Sequence, residues 1–138
     1  MAQQKQGFTI IEIIVVIAVI GTLLSIVFVS MSSFRSRSNK ATAVGAAEQV
    51  KLNLSTYFQN RNRYPASQAD VVNYLNSKNE SDLATKFSKA TTYNYQATMA
   101  DGSTCTMTGA TTCDKYVITV YKTVWNGPAS DNDVLITP

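Results

Sequence analysis

The sequence predicts an α+β fold, in which a long N-terminal α-helix packs on a small antiparallel β-sheet. Three observations predict it: an apolar run near the N-terminus, an amphipathic helical pattern that follows it, and a change to a period of two in the last third of the chain. The 138 residues are 45% apolar, which is typical of one soluble domain. That average is misleading, because 18 of the 24 residues in the range 8–31 are apolar.

The first element is an apolar helix long enough to cross a membrane. Residues 13–34 are 22 consecutive uncharged residues, and a helix of that length covers roughly 33 Å, enough for a bilayer core. A cleaved secretory signal has a shorter apolar core and a small-residue cleavage site, and residues 27–33 offer no good version of that site. We therefore expect the segment to remain in the mature protein.

Glu12 stands at the start of this apolar helix, where a carboxylate is costly in a membrane. It could lie at headgroup level, stabilised by the positive end of its own helix. It could instead meet a cation after leaving the membrane. A cut between Gly7 and Phe8 would create an α-amine at a helix N-terminus, and a neighbouring helix could offer that amine to Glu12 in a water-poor bundle.

The helical pattern continues to about residue 58. Its apolar positions recur at alternating spacings of four and three, opposite a polar face that includes Glu48, Lys51 and Ser55. The apolar positions are Ala43, Ala47, Val50, Leu54 and Tyr57. An unbroken helix over residues 8–58 would be roughly 75 Å long, and its second half needs a sheet to cover its apolar face.

For residues 59–90 the sequence predicts an irregular segment that contains a short helix and a further helical turn over residues 83–87. Ser67 is the expected N-cap of the short helix. Residues 91–138 predict the antiparallel sheet. Residues 93–99 alternate between apolar and polar, residues 116–121 are typical of a central strand, and residues 134–136 could form a short edge strand. Asp101-Gly102 and Thr108-Gly109 predict turns.

The composition argues against catalysis. The chain has no histidine, so it cannot build a Ser-His-Asp or Cys-His relay or a histidine-ligated metal site. Two cysteines are too few for a four-thiolate cluster, and the glycine motifs that bind nucleotide phosphates are missing. We expect neither an enzyme nor a cofactor.

The run from Gly7 through Phe8 to Glu12, GFTIIE, followed by the apolar helix, resembles the processing and assembly signature of type IV pilins and pseudopilins. The resemblance covers about the first 35 residues. It implies that a prepilin peptidase removes residues 1–7 by cutting after Gly7 and that Phe8 becomes the N-methylated first residue. Glu12 would then neutralise the N-terminal amine of an adjoining subunit, with residues 8–34 as the membrane and assembly segment and residues 35–138 as the extracytoplasmic head.

The resemblance also implies partners and a location: copies of the same chain in a filament, a prepilin peptidase and methyltransferase, and an assembly platform with its ATPase. The subunit would cross the cytoplasmic membrane once before assembly and lie in an extracellular filament afterwards. The charges disagree, because Arg35, Arg37 and Lys40 follow the span and only Lys5 and the terminal amine precede it. The positive-inside rule would weakly place the head in the cytoplasm. We give the cleavage signature more weight.

Cys105 and Cys113 enclose seven residues, a spacing compatible with a bridge across a small hairpin. With the head outside the cell we expect them to be oxidised, and two free buried thiols are the alternative. Asp131 and Asp133 give weak support for a calcium site, and a solvated turn is the simpler interpretation.

The pair Arg61 and Arg63, beside Tyr57 and Tyr64, could contact DNA, although a solvated loop accounts for it better. The leading hypothesis for function is a type IV pilin that polymerises for adhesion, twitching motility or DNA uptake. The first alternative is a pseudopilin of a type II secretion or competence system. The second is a single-pass anchored binding domain that does not polymerise.

Overall fold

The computed structural model describes residues 7–105, 112–126 and 132–138, without the side chains of residues 28–30. The chain divides into two compact units, an N-terminal unit, Met1–Arg35, and a C-terminal unit, Ser36–Pro138. Helices precede a three-stranded antiparallel sheet, so the predicted α+β class is confirmed.

The first helix, α1, spans Ile10–Arg61 and contributes 52 residues. The predicted end near residue 58 is three residues too early. Asn62 ends the helix by taking a φ of 52°, a left-handed conformation that asparagine tolerates better than most residues, and its N–H donates to the Phe58 carbonyl at 2.7 Å. Arg61 lies in the last turn, where a cation interacts favourably with the helix dipole.

The N-terminal unit carries an apolar surface. In an 18-residue window of α1 the mean hydropathy is 2.9 and no residue is buried, so the helix is long and apolar enough to cross a membrane. Two polar side chains within it are satisfied locally: the Thr22 hydroxyl donates to the Val19 carbonyl at 2.8 Å, and the Ser25 hydroxyl to the Gly21 carbonyl at 2.9 Å. Such bonds lower the cost of placing a hydroxyl in a medium without water.

In the C-terminal unit the predicted apolar stripe of α1 is the core-facing one, and all five of its members are buried. Four of them, all but Tyr57, share one buried cluster with residues of two short helices and the sheet. Helix α2 spans Gln68–Ser77 and α3 spans Ser81–Phe87. Ser67 caps α2 as predicted, because its side chain accepts from the Asp70 N–H while the Asp70 carboxylate accepts from the Ser67 N–H.

The sheet has the order β1-β2-β3, with β1 at Tyr93–Thr98, β2 at Lys115–Val120 and β3 at Val134–Ile136. Both pairings are antiparallel, so the predicted central strand and short edge strand are confirmed. A 3₁₀ turn at Lys122–Val124 was not predicted. It precedes Trp125, which is fully buried, with the Lys40 ammonium 5.0 Å from the centre of its ring.

The segment after α1 is held against the sheet by its backbone. The Tyr64 N–H donates to the Cys113 carbonyl at 2.8 Å, and the Tyr95 hydroxyl donates to the Pro65 carbonyl at the same distance. Proline removes a backbone donor, and the fully buried Pro65 still satisfies its acceptor. The Tyr-Pro step therefore fixes the chain where it leaves the long helix.

The predicted turn at Asp101-Gly102 is present, with Gly102 at a φ of 86°. It does not lead directly into β2. The chain instead returns along β1, where the Cys105 N–H donates to the Ala97 carbonyl at 3.0 Å. Cys105 and Cys113 then form a disulfide with their Cα atoms 5.7 Å apart. The predicted turn at Thr108-Gly109 lies outside the described residues.

Candidate assembly site at the start of the long helix

The N-terminus of α1 is closed by a capping box formed by Thr9 and Glu12. Glu12 Oε2 accepts hydrogen bonds from the Thr9 N–H at 2.8 Å and the Thr9 hydroxyl at 2.7 Å. The Thr9 hydroxyl oxygen in turn accepts from the Glu12 N–H at 3.3 Å. Thr9 precedes the first helical residue, Ile10, so the two side chains occupy the N-cap and N3 positions of that motif.

This role of Glu12 was not part of the sequence-based prediction, which considered only its charge. The signal was present as Thr-x-x-Glu directly before an apolar run. The capping box orients the carboxylate on its own helix and compensates part of the cost of placing it next to apolar residues. A neighbouring cation is therefore not the only group that can stabilise it.

The capping box leaves Glu12 able to take a second partner. Both hydrogen bonds from Thr9 fall on Oε2, and the residue is exposed. A carboxylate has two oxygens and about four lone-pair sites, so it can accept from a cationic donor without giving up the cap. A charge-assisted bond of this kind is about twice as strong as a neutral one. The geometry thus presents a fixed anion at the first turn of an apolar helix.

The residues at the expected cleavage point lie directly before this box. Gly7 and Phe8 are outside the helix and exposed, with 85% of the Phe8 surface accessible. A Cβ at Gly7 would meet none of the described residues within 4 Å, so those residues do not require a glycine there. The apolar side chains that follow are also exposed, among them Ile10, Ile11 and Ile13. An anion and a large apolar surface therefore share one segment.

The other candidate residues lie in the C-terminal unit. The Arg61 guanidinium lies 4.9 Å from the centre of the Tyr57 ring, and Tyr64 stacks on Phe58 at 4.7 Å, so both tyrosines take part in internal packing. Arg63 is exposed. The Arg61 and Tyr57 side chains that could contact DNA are thus already in contact with each other.

The structure describes only one residue of the acidic pair near the C-terminus. Asp131 lies outside the described residues, and Asp133 Oδ1 accepts from the Lys122 N–H at 2.7 Å. That bond ties the start of the 3₁₀ turn to the residue before β3. Within the part of the chain that the structure describes, no group of three or more His, Cys, Asp or Glu side chains is placed to hold a metal.

The segment that contains Gly7, Phe8 and the capping box is similar to segments of known proteins. A family model described as the prokaryotic N-terminal methylation motif matches residues 3–28. The chain is 31% identical over 68 residues to the type II secretion system core protein G of Dickeya chrysanthemi. It is 30% identical over 104 residues to a fimbrial protein of Moraxella nonliquefaciens, and 30% identical over 67 residues to the type IV major pilin protein PilE1 of Neisseria gonorrhoeae.

The match to core protein G covers 49% of this chain and 44% of that relative. The match to the fimbrial protein covers 73% and 62%, and the match to PilE1 covers 49% and 41%. The chain thus spans less than two thirds of the length of these curated relatives. No solved structure matches it. The motif that is matched contains the capping box, Gly7 and Phe8. The chain carries the N-terminal methylation motif of prokaryotic prepilins, and its homologues are type IV pilins and core protein G pseudopilins of type II secretion.

Proposed function

We propose that the chain is the structural subunit of a type IV pilus filament and polymerises through residues 8–34. One observation carries the proposal: the exposed Glu12 carboxylate lies in the first turn of an exposed apolar helix, five residues after Gly7. A single carboxylate at that place would oppose a simple anchor. It suits a helix that later packs against other copies of itself.

In this proposal residues 1–7 are a leader that a prepilin peptidase removes after Gly7. Phe8 then becomes the methylated N-terminus, and residues 35–138 form the extracytoplasmic head. The subunit waits in the cytoplasmic membrane until an assembly platform and its ATPase add it to an extracellular filament. The matched N-terminal methylation motif supports the processing step, and the relatives named as fimbrial and pilin proteins support the assignment as a pilin.

The apolar half of the helix meets two environments, the lipid of the membrane and the interior of the filament. Lipid covers the exposed apolar side chains before assembly, and other copies of the same helix cover them afterwards. Cleavage creates a cationic α-amine at Phe8, and the Glu12 carboxylate of a neighbour accepts it in a water-poor bundle, where an ion pair strongly specifies register. Because the capping box uses Oε2, the intermolecular bond can form on Oε1 without opening the helix end.

The test separates the charge of Glu12 from its cap. Glu12→Gln removes the charge, and glutamine at N3 also completes a capping box. We expect this variant to insert into the membrane, to be processed, and to form no filaments when sheared surface material is viewed by electron microscopy. Glu48→Gln, on an exposed position of the same helix, is the matched control and should form filaments normally.

Two outcomes would contradict the proposal. Normal filaments from Glu12→Gln would show that assembly does not depend on the Glu12 charge, and a wild type that forms no filaments would favour an anchored domain that does not polymerise. Mass spectrometry of the mature protein should find methylated Phe8 at the N-terminus, and an intact leader or a cut elsewhere would refute the processing step.

A pseudopilin is the second candidate, and the matches to core protein G favour it. Such a subunit would form a short periplasmic or wall-spanning fibre. The two candidates differ in where the polymer is found. Long surface filaments that contain peptides of this chain at normal expression would support the pilin, and polymer confined to the envelope would support the pseudopilin.

A further inference from the structure

A groove of about 360 Å³ opens on the surface of the C-terminal unit, between α1 and the end of α3. On α1 it is lined by Thr42, Ala43 and Ala46, and at the start of β1 and the 3₁₀ turn by Tyr93 and Val124. The Tyr93 hydroxyl donates to the Ala43 carbonyl at 3.1 Å, so two of the lining elements are joined and the groove is formed in advance. Its lining is predominantly apolar and therefore suits an apolar group.

The side of the groove formed by α3 carries positive charge. Lys86 and Lys89 line it there, and Lys89 is exposed. The Lys86 ammonium is paired with Asp82 at 2.7 Å, so Lys89 is the better placed of the two to meet an incoming anion. A lysine can border an apolar groove with its aliphatic stem and keep its ammonium in water. The groove thus suits an apolar side chain that has a carboxylate beside it.

The C-terminal unit itself carries such a pair of residues. Leu135, in the middle of β3, is a large apolar side chain that is 64% exposed, whereas the next residue, Ile136, is buried. Asp133 stands two residues before Leu135 and is exposed. Its Oδ1 accepts from the Lys122 N–H, which fixes the carboxylate beside the strand and leaves the second oxygen for another donor.

Within one copy Leu135 faces away from the groove. It lies opposite Thr119 in β2, and Thr119 lies opposite Asn94 in β1, so these three side chains share one face of the sheet. Tyr93, next to Asn94, lies on the other face and lines the groove. The occupant must therefore come from another copy. A contact between two different patches of the same molecule adds copies one after another, as the growth of a filament requires.

We propose that this groove receives Leu135 of a second copy of the chain, with Lys89 of one copy facing Asp133 of the other. The proposal rests on the polymerisation of the proposed function and names a contact between the C-terminal units of adjoining subunits. A single leucine buries too little surface to hold two copies together by itself. In a filament the apolar helices keep the copies at a high effective concentration, so a weak contact suffices to fix the arrangement of the C-terminal units.

The experiment joins the two patches covalently. Full-length chain with Thr42→Cys and Leu135→Cys is expressed in cells that form filaments, and sheared filaments are treated with a short bis-maleimide. Thr42 is exposed on the wall of the groove, so its replacement leaves the core intact. Each copy then carries one cysteine of each patch. We expect a ladder of dimers, trimers and longer species on a denaturing gel, and monomers from each single variant.

The matched control moves one cysteine to the other large exposed apolar residue of the C-terminal unit. Leu52 is 69% exposed and lies on α1, outside the lining of the groove. Thr42→Cys with Leu52→Cys should form filaments and remain monomeric on the gel.

A charge reversal tests the second part of the contact. Lys89→Glu, added to the chain with Thr42→Cys and Leu135→Cys, would set a carboxylate against Asp133. We expect the cross-linked fraction to fall about fivefold, as for the loss of one exposed ion pair at the upper end of the usual range. Arg63→Glu reverses the charge of an exposed residue outside the groove and should leave the ladder unchanged.

Three results would overturn the proposal. Filaments that give no ladder would assign the groove to a different partner, and an equal ladder from the Leu52→Cys control would show only that cysteines are crowded on the filament. Dimers without longer species would show a closed pair in place of a head-to-tail contact. Absence of filaments from the wild type would instead refute the proposed polymerisation, and this contact with it.

Discussion

At the scale of single residues, Glu12 has two separable properties. Its carboxylate completes the capping box with Thr9, and its charge is available to a second group. The sequence alone identifies the charge as unusual, because it is the only ionisable residue among apolar neighbours. The hydrogen bonds depend on the backbone direction at Thr9, which the apolar pattern does not specify. The same residue therefore caps its own helix and, in the proposed filament, also binds the amine of the neighbouring subunit.

Thr9→Ala should loosen the first turn of α1 and leave assembly intact. Removing an N-cap threonine costs about 1 kcal/mol, so the amide of Glu12 should exchange with solvent roughly fivefold faster in detergent micelles. Thr9→Ser keeps the hydroxyl and should exchange like the wild type. Filaments should still form from Thr9→Ala because the Glu12 charge remains. Loss of filaments in this variant alone would show that the cap, not the charge, drives assembly.

Two buried tyrosines of the sheet make a matched pair. The Tyr95 hydroxyl donates to the Pro65 carbonyl, whereas the buried Tyr116 hydroxyl has no hydrogen-bond partner among the residues that the structure describes. Burial raises the pKa of both phenols well above the ordinary value, so both stay protonated at neutral pH. The hydroxyl of Tyr95 thus stays a donor, and that of Tyr116 is a buried polar group without a partner in the described part of the chain.

Tyr95→Phe should lower the free energy of unfolding by about 1 to 3 kcal/mol, because it leaves the buried Pro65 carbonyl without its donor. Tyr116→Phe removes a polar atom that has no partner among the described residues, so its effect should be neutral or stabilising. Thermal unfolding of the full chain in detergent, followed by near-ultraviolet circular dichroism, measures both. Equal losses in the two variants would show that ring packing alone determines the stability of this region.

At the scale of elements, residue periodicity predicted the regular helix and strand positions, but it did not predict the features that depend on single contacts. The stripe from Ala43 to Tyr57, the cap at Ser67 and the three strands follow from residue spacing and residue type. The 3₁₀ turn before Trp125 does not, because it depends on a hydrogen bond from Lys122 to Asp133, eleven residues away. The return of the chain along β1 likewise depends on the Cys105 N–H, which no local pattern assigns to the Ala97 carbonyl.

The disulfide between Cys105 and Cys113 should be a large contribution to the stability of the sheet. It closes a loop with a sequence separation of eight residues, for which the chain-entropy relation gives about 2.5 kcal/mol. Replacing both cysteines by serine should lower the melting temperature by roughly 10 °C or more. A reducing agent should lower it similarly in the wild type and leave the serine variant unchanged. An equal effect of the reductant on both proteins would contradict this assignment.

At the scale of the whole molecule, the two units suit different surroundings. Every described residue of the buried core lies between Ala43 and Ile136, within the C-terminal unit. Among the described residues with large exposed apolar side chains, only Leu52 and Leu135 lie outside the N-terminal unit. A composition of 45% apolar residues is therefore the sum of one water-stable core and one surface that water does not favour.

This division predicts that residues 36–138 fold without the apolar segment. Among the described residues, the truncation removes no buried core residue, and it removes sixteen of the eighteen large exposed apolar side chains. The fragment should be soluble and monomeric in gel filtration, and it should unfold cooperatively within a few degrees of the full chain in detergent. The intact chain should aggregate when detergent is withdrawn, which serves as the control. A fragment that aggregates, or that unfolds without a cooperative transition, would show that the C-terminal unit needs the apolar helix for its own stability.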